Sequence, residues 1–176
     1  VDSPDKSLDY VINGWYLYQA LSSRIMAKAG FYQVSGAFGY RDQLQDAMNI
    51  SLVNPAYTKD QILKNAAHQF EKGDVLHWWH EKNHFGLRSR YKDDYLWLVY
   101  ATMYYVEVTG DKSILNEEVP YLLGDKLSEY EHEKGITFSY SNERGTLLDH
   151  CIRSLQLSMH SLGKHKLPLM GGGDWN

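Results

Sequence analysis

Apolar residues recur along this chain mostly at three- and four-residue steps, the spacing that lines one face of a helix. After a Ser3-Pro4 start, Leu8, Val11, Ile12, Trp15, Tyr18, Ile25 and Ala29 predict a long amphipathic helix running to Gly30. A glycine-rich loop, Phe31 to Tyr40, leads to a second helix near Arg41 to Leu52, closed by Asn54-Pro55. Thr58 with Gln61 has the form of a capping box, and Ile62, Leu63, Ala66, Ala67 and Phe70 make the stripe of a third helix ending at Gly73. The stretch Gly73 to Lys92 reads as a long loop. Asp93-Asp94 then stand where caps belong, ahead of a fourth helix, Tyr95 to Thr109, apolar nearly all round and expected to be buried on most sides. Between Gly110 and Gly145 the pattern predicts a short helix near Glu118 to Leu127 and a brief strand at the alternating ITFSY. Thr146 caps a last helix with Leu147, Leu148, Cys151, Ile152, Leu155, Met159 and Leu162, stopped by Gly163.

The fold class predicted is therefore all-α. If consecutive helices pack antiparallel, alternate connections fall at the same end. The connections SGAFGYRD, GDVLHWWH to RYKDD, and the terminal GGGDWN then share one end, and the plain Asn54-Pro55 turn lies at the other.

Composition narrows the function. A chain of 176 residues suffices for one domain with a real core. Eighteen basic against 22 acidic residues, net −4, give no basic field for nucleic acid or anionic lipid. The single cysteine, Cys151, excludes an internal disulfide and fits a reducing, cytoplasmic compartment. No apolar run approaches a membrane span, and VDSPDKSLDY lacks a signal-peptide pattern. An aromatic share of 14%, with 14 Tyr and 5 Trp, suits both a carbohydrate site and an ordinary core.

Three stretches carry candidate chemistry. In YRDQLQD, Arg41, Asp42, Gln45 and Asp46 crowd a helix start, with Asp42 and Asp46 one turn apart on one face. An Arg-Asp pair there locks a carboxylate to accept adjacent sugar hydroxyls, or serves as a helix cap with a surface ion pair. In GDVLHWWH, His77 and His80, with His84 beyond, imitate metal-ligand spacing, but Trp78-Trp79 suit stacking on a sugar ring better, and no metal is expected. Arg88 and Arg90, ahead of Asp93 and Asp94, order the loop or meet substrate. Finally GGGDWN pairs a backbone able to pass close to a ligand with Asp174 as acceptor and Trp175 as a stacking ring. No nucleophile triad, P-loop or dinucleotide fingerprint is present.

FYQVSGAFGYRDQLQD, GDVLHWWH, RSRYKDDYLWL, YYVEVTGD and LPLMGGGDWN, in this order, resemble the catalytic domain of glycoside hydrolase family 94, over nearly the whole chain. That family holds inverting disaccharide and oligosaccharide phosphorylases, and a related domain ends the cyclic β-1,2-glucan synthases. The wording is closest to the β-1,2-glucan and chitobiose branches, and cellobiose-type members carry an Arg where this chain has Gly36. The resemblance implies an (α/α)6 barrel, with residues 1–176 supplying about half of it as the N-terminal part of the catalytic domain. It implies that Arg41 and Asp42 hold the non-reducing-end sugar in subsite −1, which Trp175 also lines. The general acid would be the residue directly after Asn176, so the chain alone is expected to bind weakly and turn over nothing. Substrate contacts are expected from Asp174, Asp46, Gln45, Trp78, His77, Arg90 and Asp94 as well.

The implied reaction needs few protein groups. Inorganic phosphate, already anionic, is the nucleophile, so one protonated carboxyl on the opposite face suffices, and the product is an α-sugar 1-phosphate. No cofactor is implied; phosphate is the co-substrate. The implied partners are a β-linked disaccharide or oligosaccharide and the remainder of the barrel, with room for a homodimer and none for nucleic acid. Two other readings stay open: a non-catalytic or chain-length-controlling domain of a cyclic β-1,2-glucan synthase on the cytoplasmic side of the inner membrane, or a hydrolase on the same barrel.

Overall fold

The computed structural model describes residues 1–26 and 36–171. The chain divides into two compact units, 1–37 and 38–176. The first carries one continuous helical run, α1 (Lys6–Tyr10), a π-helical stretch (Val11–Trp15), α2 (Tyr16–Gln19) and a second π-helical stretch (Ala20–Met26). It is capped not by Ser3 but by Asp5, whose carboxylate accepts from the Ser7 N–H at 2.9 Å. The predicted stop at Gly30 lies outside the described residues.

The second unit is not all-α, and the expected half-barrel of helices is overturned. It opens with β1 (Phe38–Gly39), α3 (Tyr40–Asn49) and α4 (Pro55–Ala66), then a hairpin of β2 (Leu76–His80) and β3 (Phe85–Ser89). Next come α5 (Lys92–Thr109), a 3-10 turn (Lys112–Asn116), β4 (Glu118–Leu123), β5 (Glu133–Thr137), β6 (Ser139–Thr146) and α6 (Leu147–Met159). An antiparallel four-stranded sheet runs β1-β2-β3-β5, and β4 pairs with β6. The supposed long loop is thus a hairpin, and the supposed helix near Glu118 begins as a strand. The hairpin escapes a local reading because a bulge between Leu76 and Trp78 breaks the alternation of β2 and β3 has its other neighbour far off, Phe85 opposite Thr137. β4 escapes it because Glu118 lies opposite the distant Thr146. Strand formation is decided by such cross-strand neighbours more than by intrinsic preference.

The helices follow the apolar stripes more faithfully. Asn54 caps α4 through Tyr57 N–H, with Pro55 at its first position. Thr58 is no cap. It is buried about one turn into the helix and donates to the Ala47 carbonyl at 2.8 Å, tying α4 to α3. Further along, Gln61 bonds Asn65 at 2.7 Å, and Asn65 donates to the Tyr40 carbonyl at 2.8 Å, which pins the head of α3. Thr146 caps α6 by accepting from Asp149 N–H. Gly110 ends α5 in the left-handed conformation, φ 74°. α5 buries Tyr95, Leu98, Ala101, Thr102 and Tyr105 against α3, α4 and α6 but leaves Tyr100 and Met103 exposed, so its apolar circumference overstates its burial.

The core gathers Tyr40 and Leu44 from α3, Ile62 and Ala66 from α4, Leu98 and Ala101 from α5 and Leu147 from α6 beneath the sheet residues Leu76, Trp79 and Ile136. Trp79 is stacked between Phe38 at 5.4 Å and His68 at 4.0 Å. Among the described residues no helix is long and apolar enough to cross a membrane.

Candidate functional site

The heads of α3 and α5 meet. Arg41, in the first turn of α3, donates through Nη1 to Asp93 Oδ2 at 2.9 Å, across 52 residues of sequence. The pair is partly open to solvent, with 24% and 43% of the two side chains exposed. Asp93 does not cap α5, whose capping position is Tyr91 and whose first turn holds both aspartates. The N-terminal helix dipole favours two carboxylates there even though neither closes a capping ring.

Asp94 turns inward. Only 1% exposed, it accepts from His77 Nδ1 through Oδ2 at 2.7 Å, and the His77 ring meets Tyr91 edge-on at 4.5 Å. The local register explains how a strand residue reaches this helix. Leu76 pairs with Arg88 and Trp78 with Leu87, so His77 is the extra residue of a β-bulge, a device that re-aims a side chain. Burial pushes the Asp94 carboxyl up to about 6; the His77 hydrogen bond and the Arg41 charge pull it down, and Asp93 adds to the rise. Its Oδ1 and the Tyr40 hydroxyl are both buried without a hydrogen-bond partner among the described residues.

The last described residues arrive at the same place. Gly171 forms a bridge with Tyr91, and Lys92 N–H donates to the Met170 carbonyl at 3.1 Å. Gly171 has φ 88°, and a Cβ there would collide with the Arg90 carbonyl, so only glycine allows this approach. A cleft lined by Lys92, Asp93, Leu96, Ser158 and residues 168–170 opens beside Asp93.

The sequence-predicted residues therefore divide. Arg41, Asp42, His77 and Asp94 come together around the heads of α3 and α5, with Asp42 half-buried in the same turn as Arg41. Gln45 and Asp46 lie a turn further along α3, half-buried, and the Asp46 charge acts on Tyr57 of α4, whose hydroxyl is raised by burial first and then by Asp46 and Glu81. Trp78, next to the core residue Trp79, faces the other side of the sheet, where it meets His80 and Phe85. Arg90 is drawn away, donating to the carbonyls of Glu131 and Ser128, both at 2.8 Å. Asp174 and Trp175 lie outside the described residues. His80 and His84 diverge from His77, and among the described residues no three metal-ligating side chains converge. Local pattern marks Asp93 as a cap or part of a loop-ordering or substrate-meeting cluster; its partner Arg41, 52 positions away, leaves no local signal.

A family model described as the glycosyl hydrolase 94 superfamily, catalytic domain, matches residues 1–143. The chain belongs to this family. It is 46% identical over its full length to the cyclic beta-(1,2)-glucan synthase NdvB of Rhizobium meliloti (strain 1021), of which it covers 6%. It is 32% identical, over 75% of its length, to the N,N'-diacetylchitobiose phosphorylase of Vibrio furnissii, covering 20% of that protein. To the solabiose phosphorylase of Paenibacillus borealis it is 30% identical over its full length, covering 19%. The chain thus spans a fifth or less of these relatives, within the catalytic domain that gives the family its name.

Proposed function

We propose that this chain is the N-terminal part of the catalytic domain of an inverting phosphorylase that cleaves a β-glucoside, of β-1,2-glucan or related type, with inorganic phosphate. Arg41 and Asp42 bind the hydroxyls of the non-reducing-end sugar, and Asp174 and Trp175 complete that subsite from the glycine-rich run. Asp93 orients Arg41, and Asp94 orients His77. A phosphate oxygen attacks the anomeric carbon from the α face while the β-glycosidic C–O bond breaks. The departing oxygen takes its proton from a carboxylic acid immediately beyond Asn176, which leaves an α-sugar 1-phosphate and a shortened acceptor.

One observation carries this reading: the Arg41–Asp93 ion pair and the Tyr91–Gly171 bridge bring the head of α3, the head of α5 and the start of the glycine-rich run to one place. The experiment is an assay of the intact protein on β-1,2-linked glucosyl oligosaccharides. Release of α-glucose 1-phosphate that requires inorganic phosphate is expected. Reducing sugar released equally well without phosphate identifies a hydrolase and defeats the proposal.

A second reading is favoured by the higher identity to the cyclic glucan synthase than to either phosphorylase. In it, the domain serves a membrane-bound synthase and sets glucan length. Removing it from the intact protein would then change the size distribution of the glucans made.

A further inference from the structure

We propose that a second cleft, formed by the Glu71–Asp74 turn, the exit of β3, α5 and the loop after β4, binds a phosphoryl dianion. The cleft has a volume of about 240 Å³ and is lined by Lys72, Arg88, Arg90 and Lys126 against one carboxylate, Asp74. That volume is below the roughly 300–1,000 Å³ of drug-sized sites, so the occupant is small.

Arg88 is not the ligand-binding group. It is 4% exposed, pairs with Asp74 at 2.6 and 2.9 Å, donates to the carbonyls of Gly124 and Asp125, and lies 3.5 Å over the Phe70 ring. Its role is to neutralise Asp74 and hold the floor. Three cations then remain in surplus. Arg90 is steered by Glu131 and Ser128 carbonyls through Nε and Nη2, which fixes its plane without cancelling its charge, and Nη1 makes no bond among the described residues. Lys72 and Lys126 are exposed and form no ion pair among the described residues. Carboxylates on the same loops are engaged elsewhere: Asp125 with Lys134 at 3.1 Å, and Glu131 with the Ser128 N–H at 2.7 Å, while Glu71 lies where its charge acts on Arg153 and Tyr121.

A pre-aimed guanidinium flanked by two ammonium groups, over a floor of Ser89 and Tyr95, matches a tetrahedral dianion. In a chain of net charge −4 this local surplus makes a patch of positive potential that draws in anions. The phosphoryl group has two sources in the chemistry above, inorganic phosphate or a sugar 1-phosphate, but the cleft's occupancy does not depend on that reaction. The residues are distinct from Arg41, Asp42, Asp93 and Asp94.

The test is calorimetric titration of the intact protein with inorganic phosphate and, separately, with α-glucose 1-phosphate, on wild type, the Lys72→Ala/Lys126→Ala double variant and Arg41→Ala. Because the two lysines are exposed, the double variant folds, which circular dichroism checks. Phosphate affinity at this site is expected to fall at least about tenfold in the double variant and to persist in Arg41→Ala. Tighter binding of the sugar phosphate names it as the occupant, and binding of phosphate alone names the free ion. Affinity and stoichiometry unchanged by the double variant for both anions overturn the proposal, whatever the turnover assay returns.

Discussion

Two arginine–aspartate pairs in this chain contrast sharply. Arg88–Asp74 is buried, with 5% and 15% of the side chains exposed, doubly bonded, backed by two carbonyls and stacked on an aromatic ring. Arg41–Asp93 joins the same residue types at 2.9 Å with 24% and 43% exposed, at the meeting of two helix starts and beside an open cleft. The first has every geometric mark of a structural pair, since a buried charge without its partner is strongly unfavourable. The second contributes little to stability, because water competes for both groups. Under the proposed function, that openness lets the pair meet a sugar. Residue type alone cannot separate the two roles; burial does.

The contrast breaks most easily at its buried end. Asp74→Ala strands the Arg88 guanidinium, and a loss of about 3–5 kcal/mol in denaturant unfolding is expected. A loss below 1 kcal/mol would erase the distinction. Next in size is Arg41→Ala, expected to lower kcat/KM of the intact protein about 10²–10³-fold while leaving its melting temperature nearly unchanged. Equal loss of stability and turnover would make Arg41 structural too.

Asp94 supplies an intermediate case, a buried acid held by a neighbour. Its folded-state pKa, about 6, lies above its ordinary value of 3.8, so the folded protein keeps a proton that the unfolded chain releases. Stability from this group is therefore greatest below pH 4 and declines as pH rises towards 6. Asp94→Asn removes that decline. The stability of the variant relative to wild type is expected to improve from pH 4 to pH 7 by up to about 3 kcal/mol, read from paired unfolding curves. The buried His68 and His150, both lowered to about 4 mainly by burial, act in the opposite direction and cancel in the difference. A flat difference would mean that Asp94 is ionised as readily as an exposed carboxyl. The smallest effect is reserved for Asp93→Ala, expected to change unfolding free energy by less than about 1 kcal/mol.

The family was legible from five ordered motifs, and the cores of α3, α4, α5 and α6 from apolar residues at helical spacing. Local periodicity suffices for a helix because its hydrogen bonds and its buried stripe are both set within a few residues. The sheet was not legible, and with it went the expectation of an all-helical fold. His77 disturbs the alternation of β2 by a bulge, and β3 finds β5 only across the whole of α5. Asp93 and Asp94 read as caps because a cap is the commonest local use of aspartate at a helix start. Their actual partners, Arg41 and His77, are 52 and 17 residues distant.

The amino-acid order by itself determined which segments are amphipathic helices, which family the chain joins and which residue types crowd its loops, because these depend on near neighbours. Tertiary structure alone decided which arginine is walled in and which stays open, that Trp79 is core while Trp78 faces the other side of the sheet, and that Arg90 turns from Arg41 towards a separate cleft. Desolvation and long-range pairing set those outcomes, and neither is a property of any short stretch of sequence.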